Sequence, residues 1–330
     1  MTSLYRHILK KAWQITKKFS YLWPLGVFAA LLGNGGEYQI LLKQTELVAN
    51  QPEKVSFWHY LLNLLAPNIN LSNAEVLLLF FTFIITLIII AIMLWVIISS
   101  LGGLIKGAEL ANQDEKSSYK KLFLAGSKKF WPVLGLNVIA KIIVYGFLIM
   151  VLGPLMIATF GQGKNAFNLL IVAISFLIFI PLSIIVSLVT KYAIIYVMLS
   201  GQKLREAFTN AWRLFNANWL VSLEMAFILF VINIAVGLGY IICAVLIFSP
   251  FFVLAVIKSA TTPQSFNLLI YISITILLVF SAFVGAWLAT FQTSSWTLLF
   301  IRLGQNEKAH SKIVRWFTRL PDKLKKNPTA

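Results

Sequence analysis

The sequence predicts an all-α fold: a polytopic membrane helix bundle of six transmembrane helices, arranged as three hairpin repeats with basic amphipathic helices at the cytoplasmic interface. Three observations predict it. Of 330 residues, 59% are hydrophobic and only 12% charged, whereas a soluble domain carries charge on roughly a quarter of its residues. Several apolar runs exceed the roughly 18 residues that cross a bilayer. The basic residues gather on alternate connections between those runs.

The first apolar block, about 19–35, is short, with Pro24 in its first turn, where proline is tolerated. Five positive charges precede it in residues 1–18, the order of a secretory signal. That basic stretch is long and no A-x-A site follows, so the block is expected to persist as the first helix. The second block, about 75–104, is rich in Ile, Leu and Phe. The third runs about 132–159 from Pro132, the fourth about 167–199, the fifth about 219–257 and the sixth about 267–302. The fifth would reach roughly 58 Å as a straight helix, against roughly 30 Å of hydrocarbon. Such a helix must tilt, break or protrude. Pro181 and Pro250 are the expected breaks, with 251–258 a separate outer segment. The six helices make a transmembrane domain over 1–303, followed by a basic amphipathic cytoplasmic tail over 304–330.

The formal net charge is +17. With a cytoplasmic N-terminus, all of it falls on residues 1–18, 106–131, Lys191 with 200–218, and Arg302 with the tail. The outer segments balance Glu37, Glu46, Glu53 and Glu75 against Lys43, Lys54, Lys164 and Lys258, and Lys141 cancels Glu224. This positive-inside asymmetry places both termini in the cytoplasm of a bacterial inner (plasma) membrane. Topology accounts for the charge, so no nucleic-acid partner is called for. The expected partners are the lipid bilayer and anionic inner-leaflet lipids, with a protein partner left open.

The cytoplasmic segments resemble one another. Residues 12–24 read AWQITKKFSYLWP, 125–132 read AGSKKFWP and 211–219 read AWRLFNANW; 192–202 (YAIIYVMLSGQ) resembles 296–305 (WTLLFIRLGQ). Leu4, Ile8, Ala12, Ile15 and Phe19 form a helical stripe. Leu204, Phe208, Ala211, Phe215 and Trp219 form another, and Ile313, Phe317, Leu320 and Leu324 a third. Helices of this kind are expected to lie in the headgroup plane, apolar side down, with tryptophans such as Trp13, Trp131 and Trp212 at the interface. In the outer loop, 55–67 reads as one more interfacial helix.

Charged residues inside a membrane are candidate sites. Lys141 lies roughly 15 Å along the third block from Trp131, and Glu224 roughly 7 Å along the fifth from Trp219. A Lys141–Glu224 contact, with Asn137 and Asn233 nearby on the same helices, would make an intramembrane polar site; the plain alternative is a structural ion pair or snorkelling side chains. The polar run from Gln292 to Ser295, with Thr190 and Lys191, points to a hydrated cytoplasmic vestibule. Gly103-x-x-x-Gly107 and Gly237-x-Gly239 permit close helix packing. The three histidines lie far apart and Cys243 stands alone, so no metal site or disulfide is expected. No H-E-x-x-H, G-x-S-x-G or P-loop occurs, and the sequence calls for no catalytic residue and no cofactor.

The segments YKKLFLAGSKKFWPVLG (119–135) and LSGQKLREAFTNAWRLFNANW (199–219), each leading into an apolar block, resemble bacterial and archaeal six-helix membrane proteins. Those of the glycerophosphoryl diester phosphodiesterase membrane-domain type are among them. The resemblance implies a stand-alone membrane domain, because nothing here corresponds to the soluble catalytic domain with its acidic and histidine metal ligands. The expected function is a non-enzymatic membrane domain that organises lipid or a partner. The alternative is a transporter or lipid translocator with a polar cavity around Lys141 and Glu224.

Overall fold

The computed structural model describes residues 4–32, 73–160, 166–259 and 263–305. Every regular element among them is helical. The chain opens with the amphipathic helix α1 (Leu4–Lys18), a single 3-10 turn (Ser20–Leu22) and the short α2 (Trp23–Ala30). Then follow α3 (Asn73–Asn112), α4 (Tyr119–Lys128), α5 (Phe130–Phe160) and α6 (Ala166–Leu199). The amphipathic α7 (Leu204–Ala217), α8 (Trp219–Ser259) and α9 (Pro263–Gly304) complete the order.

One local device recurs three times. A single residue outside helical geometry separates a short amphipathic helix from the next element. It is Phe19 (φ −111°, ψ 64°) after α1, Lys129 (φ −109°, ψ 19°) between α4 and α5, and Asn218 (φ −134°, ψ 31°) between α7 and α8. Each break wastes no backbone group. The Lys129 N–H donates to Gly126 while its carbonyl accepts from Val133, and the Asn218 N–H donates to Leu214 and Phe215 while its carbonyl accepts from Ser222.

Five helices are long and apolar enough to span a bilayer: α3, α5, α6, α8 and α9. The described part of the first apolar block, Ser20–Ala30, is apolar but shorter than a span. Residues 33–35 of that block, the outer-loop helix at 55–67 and the tail after 305 lie outside the described residues. The proline breaks do not occur. α6 is continuous through Pro181 and α8 through Pro250, so 251–258 belongs to α8. In hydrocarbon no water competes for the freed carbonyl, so a proline costs one bond without ending the helix.

Contacts divide the chain into two compact units. Unit 1 takes Met1–Leu32, Ile98–Asn137 and Ser187–Ala330; unit 2 takes Gly33–Ile97 and Val138–Val186. In unit 2 the described packing is a small apolar cluster of Val144, Leu148 and Phe179, with Val186 against it. Most of α3 within this unit is exposed and apolar, from Leu77 to Trp95, a stretch of roughly 28 Å that matches the hydrocarbon thickness.

Unit 1 holds the larger core. α2 packs along α9 so closely that a Cβ on Gly26 would meet the Ala286 carbonyl oxygen at 2.4 Å and Thr290 Oγ1 at 2.5 Å. α4 crosses the end of α3 on glycines: a Cβ on Gly126 would lie 1.9 Å from the Ser99 carbonyl oxygen, and one on Gly103 2.7 Å from that of Leu122. The Gly103–Gly107 spacing therefore serves close packing, as its sequence predicts. Gly237 and Gly239 do not, since a Cβ on either meets nothing within 4 Å.

Candidate functional site

The polar groups of unit 1 are positioned by a packed helical layer at one end of the long helices. α3 is largely buried from Ile98 to Ala111, α6 from Leu188 to Met198, and α9 over much of its length from Ala286 to Leu303. α1 seals this layer. Its apolar stripe, expected to face lipid, packs on protein: Ile8, Ala12, Ile15 and Phe19 are buried, with Tyr5 in the place expected for Leu4. Contacts with α9 explain it, with the Trp13 ring edge-on to Trp287 at 5.0 Å between centroids. α7 buries Ala207, Ala211 and Phe215, whereas Phe208 and Trp219 of its expected stripe are exposed. The α1 stripe is therefore buried as expected except at Leu4, and the α7 stripe only at Ala211 and Phe215; both face protein as well as any bilayer.

Polar contacts bring the basic segments to the same end. Lys11 donates to the Asn112 carbonyl at 3.0 Å, and Lys18 pairs with Asp114 at 2.9 Å. At the other end of α1, Tyr5 donates to the Glu224 carboxylate of α8, and Arg302 Nη1 at the foot of α9 lies 3.2 Å from His7 Nδ1. Asp114 has a left-handed backbone (φ 61°) and closes α3, with Asp114 N–H to Ala111 and Glu115 N–H to Leu110. The Lys18 hydrogen bond and charge hold the exposed Asp114 carboxyl below its ordinary range.

The sequence-predicted residues separate by unit. Glu224, in unit 1, is half-buried and takes the Tyr5 hydroxyl as a partner. Asn233, also in unit 1, accepts a hydrogen bond from Gln292 and so bridges α8 to α9. Asn137 donates to the Val133 carbonyl of its own helix at 2.8 Å. Lys141 belongs to unit 2, its ammonium 5.9 Å from the centroid of the Tyr145 ring one turn on. The polar run on α9 is mostly taken up by packing: Ser294 and Ser295 are fully buried, and Ser295 donates to the Phe291 carbonyl.

Lys191 stands in a more enclosed place than its position near the end of an apolar block predicts. From Leu188 to Met198 only Lys191 and Tyr196 keep partial exposure; every other residue of that stretch of α6 is buried. The Lys191 ammonium stands 4.9 Å from the centroid of the Trp296 ring on α9. The next residue, Tyr192, shares a 2.8 Å hydrogen bond with Ser222 of α8. Among the described residues no carboxylate pairs with Lys191. The sequence signal was available: it is the sole charged residue between Pro181 and Ser200.

Fold and site together define a multi-pass helical membrane protein with a packed polar layer at one end of its spanning helices. Comparison with protein-family models, with curated proteins and with solved structures finds no match to this chain.

Proposed function

We propose that this chain is a non-enzymatic protein of a bacterial inner membrane that organises anionic lipid, or a partner bound there, at the inner leaflet. The observation that carries the reading is the packed layer of unit 1. Ile8, Ala12 and Ile15 of α1 and Ala207, Ala211 and Phe215 of α7 pack on protein, while Lys10 and Lys17 of α1, Lys120 and Lys121 of α4, Arg213 of α7 and the rings of Trp131, Trp212 and Trp219 stay exposed. Exposed lysines attract anionic headgroups by about 1 kcal/mol each near the surface, and tryptophan prefers that depth. The positive-inside rule then assigns this end, with both termini, to the cytoplasm.

In this reading α2 is part of a sixth crossing, and the chain is three hairpins. The thrice-used break after α1, α4 and α7 supports that arrangement, since each precedes an apolar helix. The resemblance to the membrane domain beside glycerophosphoryl diester phosphodiesterases agrees with the six-helix layout and adds no activity.

Lipid co-purification tests the proposal. The full chain, extracted in mild detergent and offered equal phosphatidylglycerol and phosphatidylcholine, should retain the anionic lipid preferentially. Reversing Lys10, Lys17, Lys120 and Lys121 to Glu should remove the preference. Equal retention of both lipids by the unmodified chain would sink the idea.

A further inference from the structure

Lys191 is costly where it stands. A half-buried ammonium has three N–H donors and a full charge to satisfy, and leaving a buried charge unpaired is among the more expensive arrangements in a protein. The Trp296 face offsets part of that, but a ring face accepts none of the three donors well. Within the described residues no other group partners the ammonium.

Its surroundings are polar in a particular way. Ser187 lies four residues before Lys191, hence on the same face of α6. Thr293 lies three residues before Trp296, hence on the same face of α9. Both are half-buried, and none of the hydrogen bonds among the described residues involves either hydroxyl. Ser183, Thr290, Ser295 and Thr297 each donate to a carbonyl of the preceding turn; Ser99, Ser100 and Ser294 also lack a partner, but they are fully buried, whereas Ser187 and Thr293 keep partial exposure. Among the described residues, two uncommitted hydroxyl donors therefore sit on the two faces that meet at one unpaired cation.

Depth selects the ligand. α6 is exposed and apolar around Leu177 and Ile178 and becomes buried from Leu188. Lys191 is three residues past Leu188, roughly 4.5 Å beyond that change along the axis. Lys191 lies eight residues before the end of the apolar span at Leu199, roughly 12 Å along the axis, and its long side chain can extend toward the headgroups at that end.

We propose that Lys191, with Ser187 beside it and Thr293 and Trp296 on the facing helix, forms a binding site for a phosphate group at the end of the spanning helices. A phosphate oxygen takes the charge-assisted bond from the ammonium, and the hydroxyls donate to the others. The site rests on the lipid-organising reading and names the residue that gives it specificity. Its phosphate comes from a lipid headgroup or from free phosphate, and the test separates the two.

The experiment is thermal unfolding of the full chain in mild detergent with added phosphatidylglycerol, phosphatidylcholine or inorganic phosphate. Unmodified protein should gain about 2 °C or more with a phosphate-bearing anion and less with the zwitterionic lipid. A gain with phosphatidylglycerol alone identifies a headgroup, and an equal gain with inorganic phosphate identifies a free anion. Lys191→Met should lose most of that gain, with apparent affinity down about tenfold, while Lys191→Arg keeps it. Without anion, Lys191→Met should melt no lower than the unmodified chain, because it removes an unpaired charge; a merely structural lysine would lower it with and without anion. If Lys191→Met does not fold, Lys191→Gln takes its place with the same two outcomes. A full gain retained by the uncharged variant overturns the Lys191 site and leaves the lipid-organising reading standing. No gain in the unmodified chain with any anion overturns both.

Discussion

Alanine at Gly126 should loosen the junction between α4 and α3, and the cost follows from backbone distances. A methyl group there would lie 1.9 Å from the Ser99 carbonyl oxygen and 2.6 Å from the Gly103 nitrogen, where ordinary contact begins at 3.4 Å. Both obstacles are main-chain atoms of another helix, so no side-chain rotation relieves them. α4 must move off α3, opening the pocket that holds Leu122 at 1% exposure and parting Gly102 from Gly126. Overpacking in a well-packed core costs about 1–3 kcal/mol when side chains can give. Here a rigid helix pair must separate, so Gly126→Ala should cost about 3 kcal/mol or more. Equilibrium unfolding in mild detergent measures it, with Gly237→Ala as the matched control. There the new methyl meets nothing, and a helical glycine replaced by alanine gains up to about 1 kcal/mol. The reasoning is refuted if Gly126→Ala unfolds within about 0.5 kcal/mol of the unmodified chain, or if Gly237→Ala costs as much.

Tyr5→Phe removes the hydroxyl that α1 donates to Glu224; a bond to a charged acceptor is worth about 1.5–3 kcal/mol. Trypsin should then cut faster at Lys10 and Lys11, and an unchanged cutting rate would count against the contact. Asp114 pairs with Lys18 and has a lowered pKa, so its contribution is present above the ordinary carboxylate range and fades as pH falls through that lowered value. Its carboxyl titration midpoint should rise on Lys18→Ala, and added salt should shrink the difference. Because Asp114 is left-handed, Asp114→Gly should be more stable than Asp114→Ala; the reverse order would contradict the geometry. Finally, proteoliposomes holding the unmodified chain, Glu224→Gln or Lys141→Met should all show solute and lipid flux at the protein-free background. Flux in the unmodified chain that either variant abolishes would turn the reading to transport.

How much of the fold was legible in the sequence depended on the range of the interaction concerned. The long helices were readable because hydrocarbon imposes one rule on every residue in a run, and α3, α5, α6, α8 and α9 satisfy it locally. The similar short strings before α5 and α8 were readable, but not the one-residue breaks at Lys129 and Asn218 that they contain. Continuity through Pro181 and Pro250 was not, because the proline rule is calibrated in water, where a freed carbonyl has another partner. The stripe of α1 was legible at Ile8, Ala12, Ile15 and Phe19, but what covers it was not. A helix wheel treats the bilayer as the partner, yet α1 packs on α9, with Trp13 against Trp287, and Tyr5 reaches Glu224 of α8, more than 200 positions away in the chain.

The candidate site shows the same division. Charge inside an apolar run marked Lys141 and Glu224, and charge is a property of one residue. What distinguishes Lys191 is relational: a helix stretch buried almost all round, an aromatic face from α9, and no carboxylate from any described element. Glu224 differs on that same count, since Tyr5 supplies it with a donor from another helix. A charge that the fold satisfies reads most simply as structure, and one that the fold surrounds but leaves unpaired reads as half of a site. The sequence displays both as single letters, and only the packing of the layer tells them apart.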